Sequence, residues 1–418
     1  MHDKYHPLVS VIVPAYNASA FIEQTLQSIL SQTYRYFEVL IIDDGSTDET
    51  ATIAQNFVAK DERFRLIQQR NSGVAAARNH GIKISTGEFI APLDADDLWH
   101  RENIEKQVKC LLDEPNRVGM VFSWSVDIDQ VNRLTSDIRA LPYYGNIYPI
   151  MLFKNVVGNA SASMIRRSCL EDVGAYNADF VSQQAQGCED WDLYLRISEK
   201  YQVALVPELL VGYRQVIGSM SRNIDEMHRS KAMALKRINE KHPQVYSTVM
   251  QWCNAANTLQ LGKKYYSQGC IQQAWNAVFK TYQTDWAMTL CTLWSYSLIS
   301  KLLCQSIYHL FTRQQSLTNR TIHSNTPTSH QYTSNNRFLV KRFITVFILL
   351  LFPDNFLQLL RVKWIHKQIC PDRHFPQSVS TKTILGARLS AINNSHKDFY
   401  EDCILTTHHA TEKEAIHV

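Results

Sequence analysis

The chain has 418 residues, 45% of them hydrophobic, enough for a sizeable core divided among two or three units. A formal net charge of +4 is too small to argue for nucleic-acid binding, and no nucleic-acid partner is expected. Nine cysteines stand singly at positions 110, 169, 188, 253, 270, 291, 304, 370 and 403, with no C-x-x-C pair, which favours reduced thiols and a cytoplasmic setting over a disulfide framework or a zinc site.

The N-terminus, MHDKYHPLVSVIVPAYN, lacks the charged start, apolar run and small-residue cleavage site of a signal peptide. From there short β-rich runs alternate with amphipathic helices. VSVIV (9–13) reads as a strand, and 19–30 places Phe21, Ile22, Leu26, Ile29 and Leu30 on one helical face. FEVLIID (37–43) is a second buried strand, followed by a helix over 47–58; FRLIQ (64–68) and EFIAPL (88–93) continue the rhythm with GVAAARNHGIKIS as the helix between them. Apolar strands separated by helices predict a doubly wound, mostly parallel α/β sheet with helices on both faces. Ligands of such sheets bind outside the carboxyl ends of the strands, where PAYN, DDGS and DADD all fall.

From about 117 to 215 the pattern loosens into strands and one convincing helix, EDWDLYLRISEKY; beyond about 222 the chain reads as helical. The expected organisation is a catalytic α/β domain over 1–228, a helical region over 229–312, a polar linker over 313–336, a basic and apolar segment over 337–370, and a tail over 371–418 without a clear pattern. Within the fourth part, FITVFILLLF (343–352) is about half of the roughly 20 apolar residues that span a bilayer. Arg337, Lys341, Arg342, Arg361, Lys363 and Lys367 surround it, so peripheral contact with anionic headgroups at a membrane face and a buried helical hairpin are equal readings.

The densest chemistry lies in FIAPLDADDLW, where Asp94, Asp96 and Asp97 crowd the end of a strand. Two like charges about 4 Å apart repel by roughly 1 kcal/mol in water and about 4 kcal/mol near a protein surface, so a positive group is expected among them. Mg²⁺ or Mn²⁺ fits, since hard cations take one or two carboxylates together with substrate phosphates. On an extended segment Asp94 and Asp96 point to one side. The competing reading is a solvated turn capping a helix near His100. In IIDDGSTDET, Ser46 and Glu49 form an S-x-x-E capping box and Gly45 allows a tight turn. That leaves Asp44, at a strand end, placed to accept hydrogen bonds from a base or ribose. Arg78 in NSGVAAARN is a permanently charged fork suited to phosphate, or a surface residue.

VSVIVPAYN, VLIIDDGSTDET, NSGVAAARNHGI, TGEFIAPLDADD and GCEDWDLYLRI, in this order, resemble the family 2 glycosyltransferases of GT-A fold, over roughly residues 8–222. The resemblance implies that Pro14, Tyr16, Asn17 and Asp44 hold the nucleotide base and ribose, that Arg78 lies near the donor, and that Asp94 lies by the ribose and metal. Asp96 would be the chief metal ligand, with Asp97 able to share the task, and Asp190 the catalytic base of an inverting transfer from a nucleotide sugar, with UDP the nucleotide expected by family habit and GDP and dTDP left open. Processive members carry Q-x-x-R-W, which is absent here, so transfer of a single sugar to a saccharide or lipid-linked acceptor is expected. YRQVIGSMS also lacks the His that some relatives place after the Y-R pair, leaving the metal fewer protein ligands. A nucleotidyltransferase would show a Gly-rich basic loop after the first strand, which PAYNAS is not, and a degenerate sugar-nucleotide-binding scaffold would not need Asp44, Asp94, Asp96 and Asp190 together.

Overall fold

All seven residues of β1 (Val9–Ala15) are buried, as are six of the seven in β2 (Phe37–Asp43), the pattern of strands covered on both faces. The computed structural model describes residues 5–216, 224–286, 298–303 and 354–369, together with 372, 374, 377–378, 383 and 399. β1 pairs in parallel with β2 on one side and β4 (Phe89–Pro92) on the other, while β3 (Phe64–Gln68) extends the sheet beyond β2. The strand order therefore reverses at β1, and a crevice opens beyond its carboxyl end. Helices α1 (Ile22–Leu30), α2 (Thr50–Val58) and α3 (Val74–Ile84) connect these strands. α3 sits close on the sheet because Gly81 has no Cβ; one would fall 2.5 Å from Cγ2 of Ile12.

The sheet continues through β9 (Ser163–Arg166), β6 (Val118–Ile128) and β10 (Gln202–Arg214) to β5 (Leu98–Trp99), with β7 (Leu134–Arg139) paired to β6. The expected parallel, doubly wound arrangement holds across β3-β2-β1-β4 and again between β6 and β10. β9 runs antiparallel to both its neighbours, so the whole sheet is mixed. A parallel return needs a crossover of a dozen or more residues, usually helical. Between β6 and β9 the described helix α5 (Tyr148–Met151) has only four residues.

Two local expectations are overturned. The turn after β4 caps no helix: it runs into β5, where Trp99 pairs with Val211 of β10, and α4 starts only at Asn103 (Asn103–Asp113). The capping box does not form either. Oγ of Ser46 accepts the N–H of Asn17 at 3.0 Å, α2 begins at Thr50, and Asp48 accepts the Thr50 N–H at 3.0 Å. Asp48 holds that role because Ser19 and Thr50 hydrogen bonds overcome burial and pull its pKa down to about 2.

Two tryptophans fill the core below the crevice. Trp99 and Trp124 are fully buried, and their indole N–H groups donate to the carbonyls of Ser161 at 2.7 Å and Leu141 at 3.0 Å, so neither carries an unsatisfied donor inside. No disulfide joins any of the five described cysteines, 110, 169, 188, 253 and 270.

The contacts divide the chain into Met1–Arg237 with Asp372–Val418, and Ile238–Pro371. Within the first unit, α6 (Arg167–Val173), α7 (Asp179–Ser182), α8 (Glu189–Lys200) and α9 (Ile224–Ala234) accompany the sheet, and Gln377–Ser378 pairs with Tyr143–Tyr144. The second unit is helical. Leu259 of its long helix (Pro243–Ser267) packs with Ala274 and Val278 of Ile271–Thr284 and with Leu298 and Leu302. There Arg361, on the helix Asp354–Ile369, is buried against Asp285 and over the ring of Trp252. The linker 313–336 and the apolar stretch 343–352 lie outside the described residues. Among the described residues no helix is long and apolar enough to cross a membrane.

Candidate active site

The carboxyl ends of β1, β2 and β4, the start of α3 and the start of α8 enclose a cleft of about 1060 Å³. Its lining includes every residue singled out for donor, metal or base: Pro14, Tyr16, Asn17, Asp44, Arg78, Asp94, Asp96 and Asp190. Asp97 is not among them.

Asn17, at a left-handed φ of 49°, ties the first two strand ends together, its Oδ1 accepting the Thr47 N–H at 2.8 Å. Tyr16 beside it is 52% exposed, leaving an aromatic face open. Asp44 is buried and already occupied: Oδ1 accepts from Ser72 N–H at 2.9 Å and Gln69 Nε2 at 2.7 Å, and Oδ2 accepts the Gly73 N–H at 2.8 Å. It thus shapes the loop 69–73 that forms one wall.

The Arg78 guanidinium is buried, ion-paired with Asp94 and 5.1 Å from the Tyr176 ring centroid, while its Nε has no partner among the described residues. Burial opposes its charge, but Asp94 outweighs burial and keeps it firmly protonated. Asp94 remains partly open to the cleft. Asp96 faces the cleft too. Burial, and then repulsion from Asp94, push its pKa up to about 6. Asp97 is fully buried and turned inward, accepting from Ser161 Oγ at 2.6 Å and from the Arg214 N–H at 2.9 Å. Its geometry gives it a structural task.

Asp190 is the second residue of α8. Its Oδ1 accepts the Trp191 N–H at 2.7 Å and its Oδ2 faces Asn155 Nδ2 at 3.4 Å. Burial raises its pKa to about 7 against the pull of Arg78, so near neutrality it exchanges a proton readily. Glu189 is buried beside it, one oxygen accepting the Gly187 N–H at 2.8 Å. Residues the sequence reading did not assign complete the wall: Arg139, Lys154, Asn155, Trp191, Tyr213 and Lys231, with the Lys231 ammonium 5.2 Å over the Trp191 ring. Lys154 and Asn155 fall in YYGNIYPIMLFKNVVGNASASM (143–164), a stretch without a readable pattern, so nothing in the sequence singled them out.

Among the described residues no group of three or more His, Cys, Asp or Glu forms a ready metal cage. A divalent ion that keeps substrate phosphates as ligands does not need one. The donor chemistry fits such an ion: Asp96 is a cleft-facing carboxylate, and Asp94, two residues away, is partly open to the same cleft.

The family described as Glycosyl transferase family 2 matches residues 10–174. An uncharacterized glycosyltransferase of Haemophilus influenzae is 31% identical over 241 residues, 56% of this chain and 73% of that protein. The chain belongs to glycosyltransferase family 2, and its mixed α/β sheet followed by helices is the GT-A architecture. The putative teichuronic acid biosynthesis glycosyltransferase TuaG of Bacillus subtilis is 42% identical over 110 residues, 26% of this chain and 44% of that one. Curated relatives matching at 38–42% identity are spanned over only 20–44% of their own length. The crystal structure of S. aureus TarS 1-349 in complex with UDP-GlcNAc gives a TM-score of 0.46 at 17% identity, covering 66% of this chain and 81% of that one, too loose a likeness to carry an argument.

Proposed function

We propose that the chain transfers one sugar from a nucleoside-diphosphate sugar, UDP-linked in the first instance, to an acceptor hydroxyl with inversion at the anomeric carbon. The observation that carries this reading is the convergence, in one cleft, of a carboxylate with a pKa near 7 and two carboxylates suited to a divalent ion. Tyr16, Asn17 and the Asp44 wall would take the base and ribose, and Arg78 would orient Asp94 beside the diphosphate. Asp94 and Asp96 would hold Mg²⁺ or Mn²⁺, which when bound neutralises charge developing on the leaving diphosphate. Asp190 would take the proton of the acceptor hydroxyl as it attacks. Transfer in a single displacement, on the face opposite the leaving group, inverts configuration and requires no covalent nucleophile.

The acceptor would be a saccharide or a lipid-linked sugar in cell-surface polysaccharide or glycolipid synthesis; the teichuronic acid biosynthesis named for one relative supports a biosynthetic role. Peripheral attachment through 337–370 to the cytoplasmic face of a membrane belongs to the same reading, without Arg361, which is buried against Asp285 and cannot meet headgroups. Co-sedimentation with vesicles rich in phosphatidylserine, lost when the apolar residues of 343–352 are changed to Ser, would support it; retention would remove it.

The decisive experiment is a panel of nucleotide sugars with Mn²⁺ or Mg²⁺, scored for released nucleoside diphosphate, with Asp96→Ala and Asp190→Ala alongside. Slow, metal-dependent hydrolysis of one donor that both variants lose supports transfer. Nucleotide binding with no turnover across donors and acceptors would make the chain a binding scaffold instead.

A further inference from the structure

Arg214 ends β10 and is 2% exposed, yet it lies at the floor of the cleft. Its Nε donates to the carbonyl of Asp96 at 2.6 Å. Nη1 donates to the carbonyl of Asp129 at 3.2 Å and to Asn132 Oδ1 at 2.7 Å, and Nη2 to Gln24 Oε1 at 3.1 Å. The guanidinium lies 4.6 Å from the Phe21 ring centroid, and the backbone N–H of the same residue donates to Oδ1 of Asp97.

The opposite side of the turn is held as firmly. Asp97 Oδ2 accepts from Ser161 Oγ at 2.6 Å, and Ser161 Oγ accepts the Asp94 N–H at 3.0 Å. Oγ1 of Thr25 donates to the carbonyls of Ala95 and Asp97, each at 2.9 Å. Every one of these contacts goes to the backbone of 94–97 or to the inward carboxylate of Asp97. None of them holds the Asp96 carboxylate, which faces the cleft. Three carboxylates this close repel, and a turn without such anchors would relax by swinging them apart.

We infer that Arg214, acting with Ser161 through Asp97, is a positioning residue that holds the 94–97 turn in the one arrangement that presents Asp96 to a metal–diphosphate. This rests on the function proposed above, and it adds a residue 118 positions away in sequence from the carboxylate it places. A lysine keeps the charge at 214 but cannot form the fork, because one ammonium cannot reach acceptors at Asp96, Asn132 and Gln24 together.

The test is the affinity of the full chain for UDP with and without Mn²⁺, by isothermal titration well below the unfolding temperature, in wild type, Arg214→Lys, Arg214→Gln, Ser161→Ala and Asn132→Gly. The last variant cuts only the arm of Arg214 that points away from Asp96, and glycine accepts the left-handed φ of 65° at that position. Wild type should bind UDP more tightly with Mn²⁺. Both Arg214 variants should lose about tenfold of that enhancement, and Ser161→Ala about threefold, with metal-free UDP binding nearly unchanged in all; Asn132→Gly should keep the wild-type ratio even if it melts earlier. If neither Arg214 variant folds, Ser161→Ala decides alone. The inference is overturned if the folded variants keep the wild-type ratio, or if Asn132→Gly loses as much as Arg214→Lys. A wild type with no Mn²⁺ enhancement removes the metal reading itself and this inference with it, and that failure is visible before any variant is measured.

Discussion

The guanidinium of Arg78 is buried and ion-paired with Asp94, whose carboxylate still opens onto the cleft. A buried charge that loses its partner is costly, while removal of both partners is far cheaper. Arg78→Met should therefore destabilise the chain by about 2 kcal/mol, discounted from the fully buried case because Asp94 is partly solvated. Arg78→Met with Asp94→Asn should cost less than the sum of the single changes, by about 1 kcal/mol in a double-mutant cycle read by urea unfolding. Additive costs would mean that the pair is not coupled and that Arg78 is kept for the donor alone.

Asp190 has the pKa of a working base, about 7. The proton must be off for the carboxylate to accept another, so kcat/KM should rise with pH and level off above about 7. Asp190→Asn should lower kcat by about 10² to 10⁴. On the proposed role, in which Asp190 takes the proton of the acceptor hydroxyl, the KM for the donor should stay within about threefold. A donor KM that rises as steeply as kcat falls would move Asp190 into the donor site.

The same shift predicts a stability signature of known sign. Burial raises the Asp190 pKa from its ordinary 3.8 to about 7, so the folded chain holds this proton more tightly than the unfolded chain. Stability tied to this group is then lost as pH rises through that window, and above about 7 the full cost of a buried charge remains. Asp190→Asn removes that cost. Its stability relative to wild type should be lowest near pH 4 and climb by on the order of 1 to 3 kcal/mol by pH 8, visible as a few degrees in Tm. A pH-independent difference would show that the carboxyl is not raised. The variant that destroys the base is thus expected to be the more stable protein at neutral pH.

The first four strands and α1, α2 and α3 were legible because each carries its own evidence. β1 and β2 are continuous apolar runs, and Ile22, Leu26 and Ile29 mark one buried helical face. The eight residues assigned to donor, metal and base converge because strand ends are where such a sheet places its ligands. What stayed hidden depends on pairings distant in sequence. Nothing in DADD tells which carboxylate turns inward; that is settled by Ser161 and Arg214. Likewise Asn155 meets Asp190 from a segment with no periodicity, and β5 is a strand only because β10 lies beside it. The capping box failed for a similar reason, since the Asn17 N–H competes for Ser46 from another strand end.

The loop 69–73 is a further prediction, because its shape depends on one carboxylate and one glycine. Gly73 has φ 89°, and a Cβ there would sit 2.4 Å from Cγ2 of Val181 on α7. Its N–H is one of the three donors that Asp44 gathers. Gly73→Ala should cost roughly 1 to 3 kcal/mol from strain and contact together, and move the N–H away from Asp44. Asp44→Asn acts from the other side: an amide turned either way must point its NH₂ at an N–H donor, so at least one buried bond is lost, at about 1 to 3 kcal/mol. If this loop is the wall that holds the nucleotide, both variants should weaken metal-free UDP binding several-fold, measured by titration at a temperature where both remain folded. Lower Tm with unchanged UDP affinity would confine Asp44 and Gly73 to the scaffold, and the base and ribose would then have to be sought along Tyr16 and Asn17 alone.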